Sequence, residues 1–315
     1  MSRLSTAISS AFFHTLSRAG RLHPASRPRR HGVTVEHNLR YGPAPEQVLD
    51  VYKPSARPGP WPVVFYVHGG AFQILSKDTH WLMGLSFARH GYLVVNISYR
   101  LAPKHRFPAA LEDTARAWQW MLRELPRLGG DPTRIAVAGE SAGGNLVTSL
   151  ALATCHRFPE PFARAVFDAG VVPRAVMPYC AILEVSRTER FHARRPLPSW
   201  VNHMLRGTST GYLGDAPAGG FRDLADPLVV LERGDAIERP LPPFFAPVGT
   251  KDILLDDTRR LEKALAVRGV PCEARYYPGG IHAFHAFVWQ SRAQQCWRDS
   301  LAFLDRHVRD VRRAA

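Results

Sequence analysis

Short unbroken apolar runs recur along this chain, each stopped by glycine, proline or a polar centre, with stretches of helical spacing between them. Val63–Val67, Leu93–Ile97, Ile135–Ala138 and Ala175–Leu183 are too brief for helices and read as strands buried on both faces. Phe244–Gly249 and Glu273–Tyr277 also read as strands. Asp78–His90, Pro108–Leu125, Asn145–Ala153 and Asp256–Gly269 space their apolar residues for helices, with Asp78 placed as an N-cap and Pro108 in a first turn. Val288–Val311 predicts a terminal helix. Gly32–Tyr41 and Gln47–Tyr52 alternate, which predicts two antiparallel edge strands, and the proline-rich stretch Pro54–Pro62 reads as a loop. Strands alternating with helices imply an α/β fold with a mostly parallel sheet covered on both faces.

The alternation stops after Leu183. Residues 184–238 are arginine-rich and broken by glycine and proline, and an insertion that long in an α/β repeat is a lid or disordered. The helical spacing of Ser199–Leu205 favours a helical cap. At the N-terminus Leu4, Ile8, Phe12 and Leu16 recur every fourth residue, as in an amphipathic helix. The expected organisation is an N-terminal helical segment at 1–31, an α/β domain from 32–183 and 239–315, and a cap insertion at 184–238.

Composition changes this picture little. A chain of 315 residues, 45% hydrophobic and 22% charged, is an ordinary globule. The net charge of +14 comes from 36 arginines and five lysines spread over the whole length. No zinc, RNP or helix-turn-helix pattern accompanies them, so no nucleic-acid partner is expected. Residues 1–31 hold six arginines and no acid, which also suits a targeting segment. The stretch Leu4–Leu16 is too interrupted by serine, threonine and histidine for a secretory core, so an amphipathic helix of the folded chain is the preferred reading. Four scattered cysteines without metal-ligand spacing suggest free thiols in a reducing, cytoplasmic compartment. No apolar run approaches the ~20 residues of a membrane span.

The chemistry gathers where strands end. Gly139-Glu-Ser141-Ala-Gly143 follows one strand and precedes a helix, the pattern of a nucleophile elbow; the plainer reading is a glycine-rich turn with an incidental serine. Three further stretches follow strands: His68-Gly69-Gly70, Thr250-Lys-Asp252 and Gly279-Gly-Ile-His282. Ligands of an open parallel sheet bind at that edge. The order Ser, Asp, His assigns Ser141 as nucleophile, His282 as general base and then acid, and Asp252 as its orienting carboxylate. The amides of Gly69, Gly70 and Ala142 would form the oxyanion hole.

Each assignment has a rival in the sequence. His285 makes His-x-x-His with His282, but no metal motif accompanies it, so neither metal nor cofactor is expected and His285 reads as packed. Asp256 and Asp257 fall within a helix. Arg100 and Asp113 suit an anionic substrate or, better, a structural ion pair. Phe12, Phe72 and Trp200 either line an acyl pocket or pack the cap onto the domain.

Several blocks in register carry a resemblance: His68-Gly-Gly-Ala-Phe72, Tyr99-Arg-Leu-Ala-Pro-Lys-His105, Phe107-Pro-Ala-Ala-Leu-Glu-Asp113, Gly139-Glu-Ser-Ala-Gly-Gly-Asn145, Asp252-Ile-Leu-Leu-Asp256 and His282-Ala-Phe284. On these the chain, from about Tyr52 to its last helix, resembles the hormone-sensitive-lipase-like esterases, bacterial family IV of the α/β-hydrolase superfamily. The resemblance implies a twisted, mostly parallel eight-stranded sheet flanked by helices and capped by others, with the N-terminal helix in the cap. It also implies hydrolysis of a small-molecule carboxylic ester through an acyl-serine, with His68 supporting the glycine loop. A homodimer is compatible with it. Amide, lactone or carbamate cleavage would use the same triad, whereas a non-catalytic binding module fits poorly with a retained His282. The chain departs from the family at Ala71, often Gly, Ser98, often Asp, and Lys104, often Glu, and the last two alter charge near the active-site edge.

Overall fold

The computed structural model describes residues 11, 14, 15, 17–56, 58–194, 196–214 and 222–309. Eight strands form one sheet: β1 (Val33–Arg40), β2 (Val48–Pro54), β3 (Trp61–Val67), β4 (Leu93–Ile97), β5 (Gly130–Glu140), β6 (Ala175–Tyr179), β7 (Phe244–Gly249) and β8 (Cys272–Tyr277). Their order is β1-β2-β4-β3-β5-β6-β7-β8. Pairing is antiparallel for β1 with β2 and β2 with β4, and parallel thereafter.

Around the sheet lie α1 (Trp81–Ala88), α2 (Ala109–Leu128), α3 (Ala142–Cys155), α4 (Pro161–Asp168), α5 (Arg190–Arg194), α6 (Ser199–Leu213), α7 (Pro227–Arg233), α8 (Leu255–Val267) and α9 (Ser291–Leu304). Successive side chains of a strand face opposite ways. Val63, Phe65 and Val67 accordingly pack with Trp118 of α2 and Leu146 of α3. Val64 and Tyr66 pack with Phe87 of α1 and Trp297 and Phe303 of α9. Two buried faces are why these strands read as unbroken apolar runs rather than as alternation.

Several element ends differ from the sequence reading. Asp78 is not an N-cap: α1 begins at Trp81 after His80, with no side-chain cap bond. The Asp78 carboxylate instead meets Lys77 Nζ at 2.9 Å and Arg21 at 3.3 Å, two cations that outbid a lone backbone amide. Helix α2 runs through Pro126 to Leu128, and Gly129, at φ +79, closes it. The strand expected over Ala175–Leu183 stops at Tyr179, because Cys180 adopts φ +37. The terminal helix begins only at Ser291 and widens after Leu304 into a π-turn over Asp305–Arg309.

The insertion after Leu183 is helical. Its α6 is pinned to the loop after β3: Phe72 stacks on Tyr212 with ring centres 3.7 Å apart, and Gln73 Nε2 donates to Gly207 O at 2.8 Å. The Phe107 amide donates to Tyr212 O at 2.8 Å. Its last helix, α7, packs beside α3 and α8 and so joins the layer flanking the sheet. Residues 17–22 are also helical, and Ser17 Oγ and Arg21 both donate to Asp78 O, at 2.8 and 2.9 Å. Leu4, Ile8, Phe12 and Leu16 lie outside the described residues. Among the described residues no helix is long and apolar enough to cross a membrane.

Candidate active site

The site is built at the C-terminal ends of β3, β5, β6, β7 and β8. Ser141 joins β5 to α3 with φ 51° and ψ −116°, a left-handed conformation that a serine adopts only under constraint. The constraint comes from both sides: the Ser141 amide donates to Tyr179 O at 2.9 Å, and its carbonyl accepts from Asn145 at 3.2 Å and Ile182 at 3.3 Å. Gly143 is required, because a Cβ there would run into the carbonyls of Val67 and His68. Residue types around the serine are thus dictated by how closely β3 passes the turn.

His282 stands over the serine, with Nε2 3.0 Å from Ser141 Oγ. Its Nδ1 lies 3.1 and 3.0 Å from the two oxygens of Asp252, a buried carboxylate that also accepts from the Leu254 amide at 2.8 Å. Since an ionised carboxylate only accepts, Nδ1 carries the proton and Nε2 presents a lone pair to the serine. Burial of the ring opposes its charge, but Asp252 outweighs that and holds His282 well above the ordinary histidine value. Asp256 and Asp257 lie in the first turn of α8 as expected, and Asp257 accepts from the Leu183 amide at 2.7 Å.

Opposite the histidine is the loop after β3. Gly70 has φ +110, and a Cβ on it would strike the Ile74 carbonyl. Among the described residues the amides of Gly69 and Gly70 donate to no carbonyl, and Ala142, first in α3, has an amide without an intrahelical acceptor. Ala71, where the resembling esterases often have glycine, holds φ +53 regardless. His68 faces inward: its Nδ1–H donates to Gly69 O at 2.6 Å, its ring stacks on Tyr99 at 4.2 Å, and burial pushes its pKa down to about 3. A neutral, buried imidazole bonded to the loop can shape that loop but is poorly placed to carry protons.

Of the expected pocket residues, Phe72 is fully buried against Tyr212, so it packs α6 onto the domain. Trp200 is 69% exposed and walls no pocket here: the α6 face that packs on the core carries Val201, Leu205 and Tyr212. Phe12 lies outside the described residues. A cavity of about 210 Å³ abuts Asp252, lined also by Phe191, Leu197, Ile253 and Arg259, without reaching Ser141. Arg100 and Asp113 form the structural pair, 2.8 Å apart with Asp113 buried.

Three neighbours were not singled out by the sequence. Glu140, directly before the serine, is buried between His80 Nε2 at 2.8 Å and His285 Nε2 at 2.9 Å. Burial alone would raise its pKa, yet the two imidazoles hold it well below the usual carboxylate range. His285 is therefore packed, as read, but against a carboxylate. Cys180, beyond β6, approaches His282 and Asp252. Glu140 could be suspected from its place between a buried strand and the elbow, whereas His80 and Cys180 give no local signal.

The decisive comparison is a match over residues 64–286 to the family described by its alpha/beta hydrolase fold. The chain belongs to the α/β-hydrolase family. This hydrolase is 30% identical over 254 residues, 80% of its own length and 76% of the relative's, to the carboxylesterase NlhH of Mycobacterium tuberculosis. Among solved structures it is similar to a bacterial heroin esterase, with TM-score 0.78 and 25% identity, covering 96% of this chain and 92% of that one. It is similar also to an esterase from the bacterial hormone-sensitive lipase family, with TM-score 0.75, 25% identity and the same coverage. The resemblance drawn from the sequence blocks therefore holds.

Proposed function

We propose that this α/β hydrolase is a carboxylesterase whose ester hydrolysis runs through an acyl-Ser141 intermediate. Ser141 Oγ attacks the ester carbonyl carbon while its proton passes to His282 Nε2. The carbonyl oxygen becomes an oxyanion held by the amides of Gly69, Gly70 and Ala142. The imidazolium, stabilised by Asp252, then protonates the departing alcohol oxygen. Water repeats the sequence in the deacylation half: His282 takes its proton, the acyl carbon–Oγ bond breaks, and the carboxylic acid leaves. The observation that carries this reading is the 3.0 Å approach of His282 Nε2 to Ser141 Oγ, with Asp252 behind the ring. Reaction with an organophosphate followed by peptide mapping tests it: the adduct belongs on Ser141, and an adduct on another residue overturns the assignment.

The substrate class follows from the cap. The insertion is held against the oxyanion loop through Phe72 and Tyr212, and the helical residues 17–22 dock at Asp78 just beyond that loop. Together they would close the acyl side as a short pocket, with Met204 of α6 half-buried against the core. Each methylene that fits contributes about 0.8 kcal/mol, so rates rise over the first carbons and fall once the chain meets the wall. Butyrate and hexanoate p-nitrophenyl esters should beat laurate by at least about tenfold, a 1.4 kcal/mol difference. A flat or rising profile to laurate removes the pocket. The free cysteines favour a reducing, cytoplasmic compartment.

A further inference from the structure

Cys180 is an odd residue to find where it is. It follows β6 directly with φ +37, a left-handed backbone that L side chains avoid, and its amide is tied to Pro247 O of β7 at 3.0 Å. That conformation turns a buried thiol toward the proposed base. The donor atoms of Cys180, Asp252 and His282 all lie within 4.8 Å of one another, brought from the ends of three adjacent strands, β6, β7 and β8. A thiol, an imidazole and a carboxylate are the three side chains that bind zinc, and metal-to-ligand lengths of about 2.0–2.3 Å leave such donors roughly 3.5 Å apart in a tetrahedron. Small side-chain adjustments would bring the trio to that spacing. The His282 side chain, 37% exposed, leaves the approach open to an ion.

We propose that Cys180, Asp252 and His282 form a site for a thiophilic divalent cation, Zn²⁺ or Cd²⁺, whose binding switches the esterase off. The inference rests on His282 being the base. Proton counting gives the inhibition. The cation binds Cys180 as thiolate, releasing the thiol proton to solvent, and takes the Nδ1 lone pair of the neutral imidazole. The single ring proton then sits on Nε2, which can no longer accept from Ser141, and Asp252 is diverted from orienting the ring to ligating the ion. A fourth position remains for water.

The test uses the full chain with Cd²⁺ alone. The wild type should bind one equivalent with a thiolate-to-Cd²⁺ ultraviolet absorption, lose activity in parallel, and recover with a chelator. In Cys180→Ser the absorption should vanish and half-inhibition should need at least about tenfold more cation, measured against that variant's own uninhibited rate. Cys180→Ala serves the same purpose if the serine variant folds poorly, and slower organophosphate labelling of Ser141 in Cd²⁺-loaded wild type needs no variant at all. Unchanged absorption and unchanged inhibition in the Cys180 variants would overturn the site. Stoichiometric binding through Cys180 with full activity retained would instead overturn the switch while leaving His282 as base, which loss of activity in His282→Ala tests separately.

Discussion

Glu140→Gln separates what holds the site from what merely fills it. The substitution keeps the shape but replaces a carboxylate by one acceptor and one donor. Glu140 spans His80, which follows the oxyanion loop, and His285, three residues beyond His282, at 2.8 and 2.9 Å. An amide can satisfy one imidazole and turns an NH₂ toward the other. Leaving a buried polar partner unsatisfied costs about 1–3 kcal/mol, more where the lost acceptor is charged, so we take about 3. At roughly 2–4 °C per kcal/mol the melting temperature should fall by roughly 6–12 °C. The functional loss comes from geometry. Glu140 packs its side chain against Gly69, and its second imidazole lies in the loop that carries His282. A displacement of about 1 Å at the reacting atoms can cost about a hundredfold, so kcat should drop about 10- to 100-fold while KM changes little. Saturation kinetics on p-nitrophenyl butyrate well below the melting point, with urea melts alongside, measure both. The pH dependence adds a readout that a packing role would not move. Because its folded pKa is depressed below 4.5, Glu140 contributes stability above that value and loses it as pH falls through the folded pKa. The Gln variant should lack that part of the acid slope. A large loss of stability with unchanged kcat would show that Glu140 supports the fold but not the geometry of catalysis. No change in either would refute the charged bridge altogether.

Other outcomes follow from the same geometry. Ser141→Ala should leave the melting curve near that of the wild type and abolish turnover; residual turnover at wild-type levels would remove Ser141 from the mechanism. His282→Ala should cost about four decades in kcat, whereas His285→Ala, which strips one partner from Glu140 but leaves the base, should stay within about a hundredfold; equal losses would contradict the division of roles. With Asp252 holding His282 protonated to higher pH, the ascending limb of kcat/KM should lie alkaline of an ordinary imidazole, and Asp252→Asn should shift it acidward with a large fall in rate. An unshifted limb in Asp252→Asn would mean that Asp252 does not set the base.

Much of the site was legible because its demands on the backbone are local. A serine forced to φ 51° between β5 and α3 leaves no room for a side chain at Gly143, and the oxyanion loop likewise requires Gly70, so both turns are written in residue type within a few positions. The strand that delivers Asp252 is buried on both faces and announces itself as an apolar run, and the half-buried edge strand before His282 ends in Tyr-Tyr before a glycine pair, so the positions just past their ends could be picked out and their order read. What stayed hidden depends on which strands lie side by side. The order β1-β2-β4-β3-β5-β6-β7-β8 brings Cys180 next to Ser141 and His282 across long stretches of chain, and nothing around Cys180 marks it. Glu140 finds His80 from 60 residues away, and Asp78 gives up the capping role its position suggested because Lys77 and Arg21 reach it first. From the sequence Trp200 either lines a pocket or packs the cap, yet α6 turns that position to solvent while Tyr212 anchors the helix on Phe72. Backbone strain and strand burial act within a few residues and therefore leave a trace in sequence; charge pairing and helix orientation are settled by neighbours that only the folded chain assembles.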